Sequence, residues 1–433
     1  MKNQNKQKGI TLVALVITII ILLILAGISI SALTNQGLFA KAQEAKQRTE
    51  NAQKEESEIL ENYLAQMNAI TFKNVDKTKT NPEAAMPKGA VVVEGDANKG
   101  IVIKDSKGNE WVWVEVPKTV FTTATKSDEY DKIKTDLITY ATDYREGSEG
   151  QGLDWTDEWY AKDVDTLVTA STAGLTDAQK ALNNGCGLTY NQYQEVYQKM
   201  LSSVYTNGGF WISRYEIGDS TATASNTTRT DSSGTTGTAV SKANQIPYNY
   251  VTCSQAQNLV NGMSTDSNKT SSLLFGIQWD LTCKFLQEKG KLTKAELKSG
   301  DNIGSTNWGN YKNSSLTLYR GKYIIAPWES TSVWTSYDKD TPNYVTGSQT
   351  SDNENYYQLL TTGASEQTNK MNIYDLAGNE WEWTLEKTSV TDYPCAFRGG
   401  HYNNGGSDVP ASLRGGNVTT SSDNSLGFRS TLY

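Results

Sequence analysis

The longest apolar run of the chain stands near its beginning. From Ile10 to Ile30 the sequence ITLVALVITIIILLILAGISI carries no charge, and about 21 residues rising about 1.5 Å each cross a hydrocarbon core of roughly 30 Å. The pattern predicts a membrane-spanning helix over 10–32. Lys2, Lys6 and Lys8 precede it without an acid, and the next charges are Lys41 and Glu44. The positive-inside bias therefore predicts a cytoplasmic leader over 1–9, with everything after the helix facing outward. Between Lys41 and Ile70 there is no Gly or Pro, and Ala, Glu, Gln and Lys dominate. These strong helix formers predict a helical stem over 33–70, with an i,i+4 pair of Glu50 and Lys54. Ile59, Leu60, Tyr63, Leu64 and Met67 recur at helical spacing, a stripe that packs either on the chain's own head domain or on a partner helix.

After Pro82 the period changes from helical to alternating. Ala90-Val91-Val92-Val93 and Ile101-Val102-Ile103, separated by Gly95 and Gly100, predict short strands joined by turns and a β-rich domain from about residue 85. Helical faces recur at Tyr190, Tyr193, Val196, Tyr197, Met200 and Leu201, and again at Trp279, Cys283 and Leu286. Residues 219–245 are mostly Ser, Thr, Asn and Gly, too polar to bury, and read as an insertion or surface loop. The fold class is α+β. One pattern occurs twice, 270 residues apart: Asp105-x-x-Gly108-Asn109-Glu110-Trp111-x-Trp113 and Asp375-x-x-Gly378-Asn379-Glu380-Trp381-x-Trp383. Each copy reads as a Gly-Asn turn feeding a strand whose Trp residues face one side, together a paired structural hairpin beneath the core. The second copy alone also offers Asp375 and Glu382 to a hard cation such as calcium, because the first has Val112 where the second has Glu382.

Composition narrows the chemistry. A formal charge of -8 and scattered basic residues oppose a phosphate backbone, so no nucleic acid is expected as partner. The single His, His401, and the four cysteines Cys186, Cys253, Cys283 and Cys395 have no zinc-type spacing. Outside the cytoplasm four cysteines allow three disulfide pairings; unpaired, partly buried thiols are the preferred reading.

Three linked motifs near the carboxyl end are recognisable: NIYDLAGNEWEWT from Asn372 to Thr384, Phe397-Arg398-Gly399-Gly400, and Leu426-Gly427-Phe428-Arg429. In order and spacing they resemble the formylglycine-generating enzyme (sulfatase-modifying factor) family. Weaker matches lie upstream at Gly209-Phe210-Trp211-Ile212-Ser213-Arg214-Tyr215-Glu216 and Gly276-Ile277-Gln278-Trp279-Asp280. The resemblance covers about residues 200–433, with 85–118 joined to the same fold. It implies a C-type-lectin-like domain over 85–433, with insertions near 120–185 and 219–245, carried on the transmembrane and stem helix. It also implies a structural calcium on Asp375, Gly378 and Glu382 with the carbonyl of Glu380. Catalysis in that family needs two cysteines soon after the RGG motif, where they bind copper, and iron-dependent relatives need several histidines. None of the cysteines lies between Arg398 and Phe428, and His401 is alone. Neither copper nor iron is expected, no catalytic residue is assigned, and an enzyme of the formylglycine-generating or non-haem-iron type is the alternative.

Two further resemblances bear on function. Lys8-Gly9-Ile10-Thr11-Leu12 resembles the prepilin leader of type IV pilins, cut after the glycine, although Ala14 stands where that family carries a Glu. This leaves open a filament subunit among pilin partners, an architectural minor pseudopilin, or an uncleaved membrane anchor. The segment between Arg398 and Arg429 is dense in Asn, Ser, Gly, Asp and Thr, residues that suit adaptable hydrogen bonding. It resembles the diversified segment of variable proteins of diversity-generating retroelements. The expected ligand-binding set is His401, Tyr402, Asn403, Asn404, Asp408, Val409, Leu413, Gly415, Asn417, Val418 and Thr419, for an extracellular protein or glycan met at the cell surface.

Overall fold

The computed structural model describes residues 5–35, 38–145, 155–159, 185–222, 234–298, 304–318, 320–326, 333–336, 349–351, 354–390 and 393–433. The chain divides into two units, Met1–Met67 and Asn68–Tyr433.

The first unit is built from helices. Helix α1 runs over Asn5–Asn35 and α2 over Leu38–Phe72. In α1 the described side chains, residues 15–30, are exposed on every side of the helix, Leu23 at 67% and Ile30 at 66% among them. Among the described residues no helix is long and apolar enough to cross a membrane, and the amino end of the Ile10–Ile30 run, residues 10–14, falls outside the described side chains. Helix α2 carries exposed pairs Arg48–Glu44, Lys46–Glu50 and Lys54–Glu58. Glu50 therefore pairs back to Lys46 rather than forward to Lys54. Ile59 is 70% exposed, whereas the side chains of Leu60, Tyr63, Leu64 and Met67 lie outside those described.

The second unit holds the core. Phe72, at the end of α2, is buried there. The β-branched runs pair as expected: β1 (Val91–Glu94) lies antiparallel to β2 (Val102–Lys104), and β2 to β3 (Glu110–Glu115). The sheet continues through β5 (Gly209–Ser213) and β18 (Ser430–Leu432) to β9 (Ser271–Leu273), so the last strand of the chain is wedged inside it. The Tyr190–Asn207 helix starts from a capping box of Thr189 and Gln192 and stops at Gly208 with φ 71°, a left-handed conformation that favours glycine. It buries Tyr193, Tyr197, Met200, Leu201 and Val204 and leaves Tyr190 exposed. The Gly276–Glu288 helix is buried on nearly every side, as an interior helix must be.

Three differences from expectation have physical causes. The two D-x-x-G-N-E-W-x-W copies do not pair with one another. The first turns β2 into β3, with Asp105 accepting from the N–H groups of Lys107 and Asn109 and from the Trp111 indole. The second opens β14 (Trp381–Thr388), in a different sheet. Secondly, the described ends of the polar 219–245 stretch form a small sheet of β6 (Gly218–Asp219), β7 (Ala239–Val240) and β8 (Ile246–Pro247), tied by Asp219, which accepts from Thr221 and Thr238. Thirdly, the 120–185 region supplies β4 (Trp155–Thr156), which pairs with β14. All four cysteines are buried as thiols outside any disulfide. Burial pushes the Cys186 and Cys283 thiols up to about 12, where they are protonated and inert.

Candidate functional site

Strand β14 organises the site. It pairs antiparallel with β15 (Cys395–Arg398) and parallel with β17 (Leu426–Phe428), and β15 pairs with β16 (Arg414–Asn417). Register places Trp383, Phe397 and Gly415 in one row across the sheet, and Glu382, Arg398 and Arg414 in the next. Successive side chains point to opposite faces of a strand, so one face carries rings and the other carries charge.

On the ring face, Trp381 lies 4.5 Å from Phe397 between ring centroids and 6.1 Å from His401. Trp383 meets Phe397 edge-on at 5.8 Å. Gly415 leaves the room that the Phe397 ring occupies; a Cβ there would overlap it. Trp381, Phe397 and His401 are each half-buried, a ledge of rings open to solvent along one side. The His401 N–H donates to Asn404 Oδ1, and its buried Nδ1 has no hydrogen-bond partner among the described residues. Burial holds the imidazole down at about 4, with Asp423 opposing and Lys312 adding, so the ring is neutral at physiological pH.

The expected binding residues separate by depth. Asn403, Asp408 and Val418 are exposed, and Asn404, Val409, Leu413, Asn417 and Thr419 are half-buried. Tyr402 turns inward instead. It is 5% exposed and packs with Ile246, Ile324, Trp334 and Leu359, residues drawn from β8, from β10 (Lys322–Ala326), from its partner β13 (Glu354–Leu360), which also pairs with β12 (Gln349–Ser351), and from just ahead of β11 (Thr335–Ser336). Gly415 lies beneath Phe397. Trp381 and Phe397 were not in the expected set, although Trp381 could have been found from the alternation of its W-x-W motif, whose outer member begins the strand.

The charged face anchors the segment. Arg398 donates to Asp280 at 2.7 Å and Glu386 at 2.9 Å. Arg414 donates to the same two acids at 2.7 and 3.0 Å and to the carbonyl of Tyr144 at 2.6 Å. Arg145 closes the group on Asp280, Glu386 and Asp157, at 3.1, 3.0 and 3.0 Å. Asp157 also accepts the N–H groups of Gly276 and Ile277 at the start of the Gly276–Glu288 helix, where negative charge is favoured. Burial would raise the Glu386 carboxyl, but Arg414, Arg398 and Arg145 override it and hold it at about 2. Three guanidinium and three carboxylate groups thus tie both ends of the 399–413 loop to helix and sheet.

The two carboxylates expected to hold calcium are already engaged. Both Glu382 oxygens accept from Arg429, the closest contact 2.8 Å. Asp375 accepts from the Gly363 N–H at 2.6 Å and the Thr368 hydroxyl at 2.7 Å. Glu380 Oε1 accepts from Asn249, and the Gly378 N–H donates to the Gly399 carbonyl. Among the described residues no group of three or more His, Cys, Asp or Glu could hold a metal ion. The Arg429 guanidinium is the cation that neutralises Glu382, so that carboxylate does not fit a calcium ion.

A family model for the sulfatase-modifying factor enzyme 1-like domain matches residues 186–432, more than half of the chain. The chain belongs to that family. No curated protein matches it significantly. In this sulfatase-modifying factor-like domain the matched region runs from Cys186, ahead of the Tyr190–Asn207 helix, to the inserted last strand β18, and contains the ring ledge and all three sequence motifs. Its Cys395 opens β15 and is fully buried, on the strand that precedes the double glycine rather than in the loop that follows it.

Proposed function

We propose that this member of the family is a surface-displayed ligand-binding protein, carried outward on the apolar helix α1, and that its sulfatase-modifying factor-like domain binds without catalysing. The observation that carries this reading is the ledge of Trp381, Phe397 and His401, together with the solvent-reaching Asn403, Leu413, Asn417, Val418 and Thr419 of the loop and strand that follow. Half-exposed rings supply contact area at low entropic cost, and short polar side chains around them supply adaptable hydrogen bonds, the combination found at binding surfaces. An extracellular protein or glycan is the ligand class, in the manner of an adhesin or a pilus-associated receptor-binding protein. The segment's resemblance to retroelement-diversified variable proteins supports the same use of the surface. A reverse-transcriptase gene and a near-copy of the 398–430 coding segment, differing at adenines, are expected beside the gene. The absence of a thiol between Arg398 and Phe428 supports the non-catalytic reading.

The test is binding of the full-length chain in detergent to glycan and surface-protein panels. Replacing His401, Asn403 and Asn417 together by Ala is expected to weaken binding at least tenfold in a chain that still unfolds in one cooperative transition. Undiminished binding by that variant would favour a purely architectural head. Stoichiometric copper or iron on the purified chain, or turnover of a peptide thiol, would establish the enzymatic alternative.

A further inference from the structure

A second concavity lies on other elements. A cleft of about 510 Å³ opens between the segment leading into the Tyr130–Tyr140 helix, the Tyr190–Asn207 helix and the residues after β4. Asp128, Asp131 and Glu158 stand exposed at its rim. Among the described residues none of these three carboxylates forms an ion pair; of the two lysines that also line the cleft, Lys132 is taken by Glu129 at 2.7 Å, and Lys134 leaves the acids in the majority. Asp157 lines the cleft from below, its charge already answered by Arg145 and two helix N–H groups.

The floor supplies an independent observation. Tyr197 is 7% exposed, lines the cleft, and its buried hydroxyl has no hydrogen-bond partner among the described residues. Burial pushes the phenol well up, with Asp157, Asp131 and Glu158, all lining the cleft, adding and Arg145 opposing. An unmade hydrogen bond at a buried hydroxyl is destabilising, and like charges gathered on one rim repel. A single kind of ligand relieves both: a cation that also donates N–H bonds. Gln194 and Gln198, on the wall, add amide oxygens that accept from such donors.

We propose that this cleft binds a guanidinium or primary-amine group, with Asp131 and Glu158 neutralising its charge and the Tyr197 oxygen accepting from its N–H. That chemistry comes either from a small free cation or from an arginine side chain of a polypeptide. The site is separate from the ring ledge, so failure of one reading leaves the other standing.

The experiment is calorimetric titration of the full-length chain in detergent with agmatine, with a capped Ala-Arg-Ala peptide, and with the neutral urea analogue of agmatine. Saturable binding of agmatine or of the peptide, weakened by added salt and absent for the urea analogue, is the expected result. The tighter of the two identifies the source. Asp131→Asn with Glu158→Gln, both at exposed positions, is expected to raise Kd at least tenfold without moving the melting temperature, and Tyr197→Phe to raise it several-fold. Saturation by neither cation, equal binding of the urea analogue, or binding indifferent to the Asp131→Asn/Glu158→Gln pair would overturn the proposal.

Discussion

At the scale of single residues, the site joins groups whose ionisation is decided by burial. His401 has its folded value lowered from 6.5 to about 4, so the unfolded chain takes up the proton first as the pH falls. Stability that the neutral ring provides is complete above about 6.5 and is lost as the pH drops through 4. His401→Phe keeps a ring beside Trp381 and Tyr402 but cannot titrate. The melting temperature of the parent minus that of His401→Phe is therefore expected to fall steadily between pH 7 and pH 4; a difference that stays flat would show that the imidazole protonates freely in the folded state. Comparing the two chains at each pH removes the contribution of Glu382, whose value burial raises to about 7 despite Arg429 and which acts in the opposite direction. Which residues face solvent was only partly legible in the sequence. Asn403, Asp408 and Val418 are exposed as their loop context suggested, but Tyr402, equally suited to a binding surface, points inward because Trp334 and Ile324 arrive from a part of the chain far away in sequence to cover it.

At the scale of elements, alternation and helical spacing foretold β1, β2 and the two long helices because each carries its signal within a few residues. The buried ion network was not foreseen. Its six charges come from the described end of a short helix at Arg145, from Asp157 after β4, from the Gly276–Glu288 helix and from three strands, and charge partners so distant leave no local pattern. The equality of three guanidinium and three carboxylate groups means that removing one member strands another in a medium that cannot solvate it. Arg414→Met fills most of the volume but leaves Asp280 and Glu386 short of a cation, and is expected to cost about 3–5 kcal/mol in denaturant unfolding. Because Arg414 begins β16 and Arg398 ends β15, the same change is expected to weaken ligand binding by loosening the loop between them. A loss of stability under 1 kcal/mol would mean that solvent already reaches the network.

At the scale of the whole molecule, the two units rest on different physics. Residues 68–433 enclose one large core of rings and aliphatic side chains, whereas the described side chains of α1 are apolar on every side and meet nothing that buries them. A helix that is apolar all round is stable only where lipid or other apolar helices cover it. Surface display as proposed puts the charge-free run from Ile10 to Ile30, with three lysines ahead of it, across a bilayer. The full chain is accordingly expected in the membrane fraction, retained there by high salt and alkaline carbonate and released by detergent, with the head accessible to protease added from outside. A chain lacking residues 1–37 is expected to be soluble and to melt at the temperature of the full chain, because the core lies wholly beyond that deletion. Recovery of the full chain in the soluble fraction would exclude a lipid anchor and leave helix-to-helix assembly as the means of covering α1. Recovery in the membrane fraction with the head protected from protease would reverse the orientation and remove the surface-display part of the proposal, while leaving the ring ledge and the acidic cleft as binding sites.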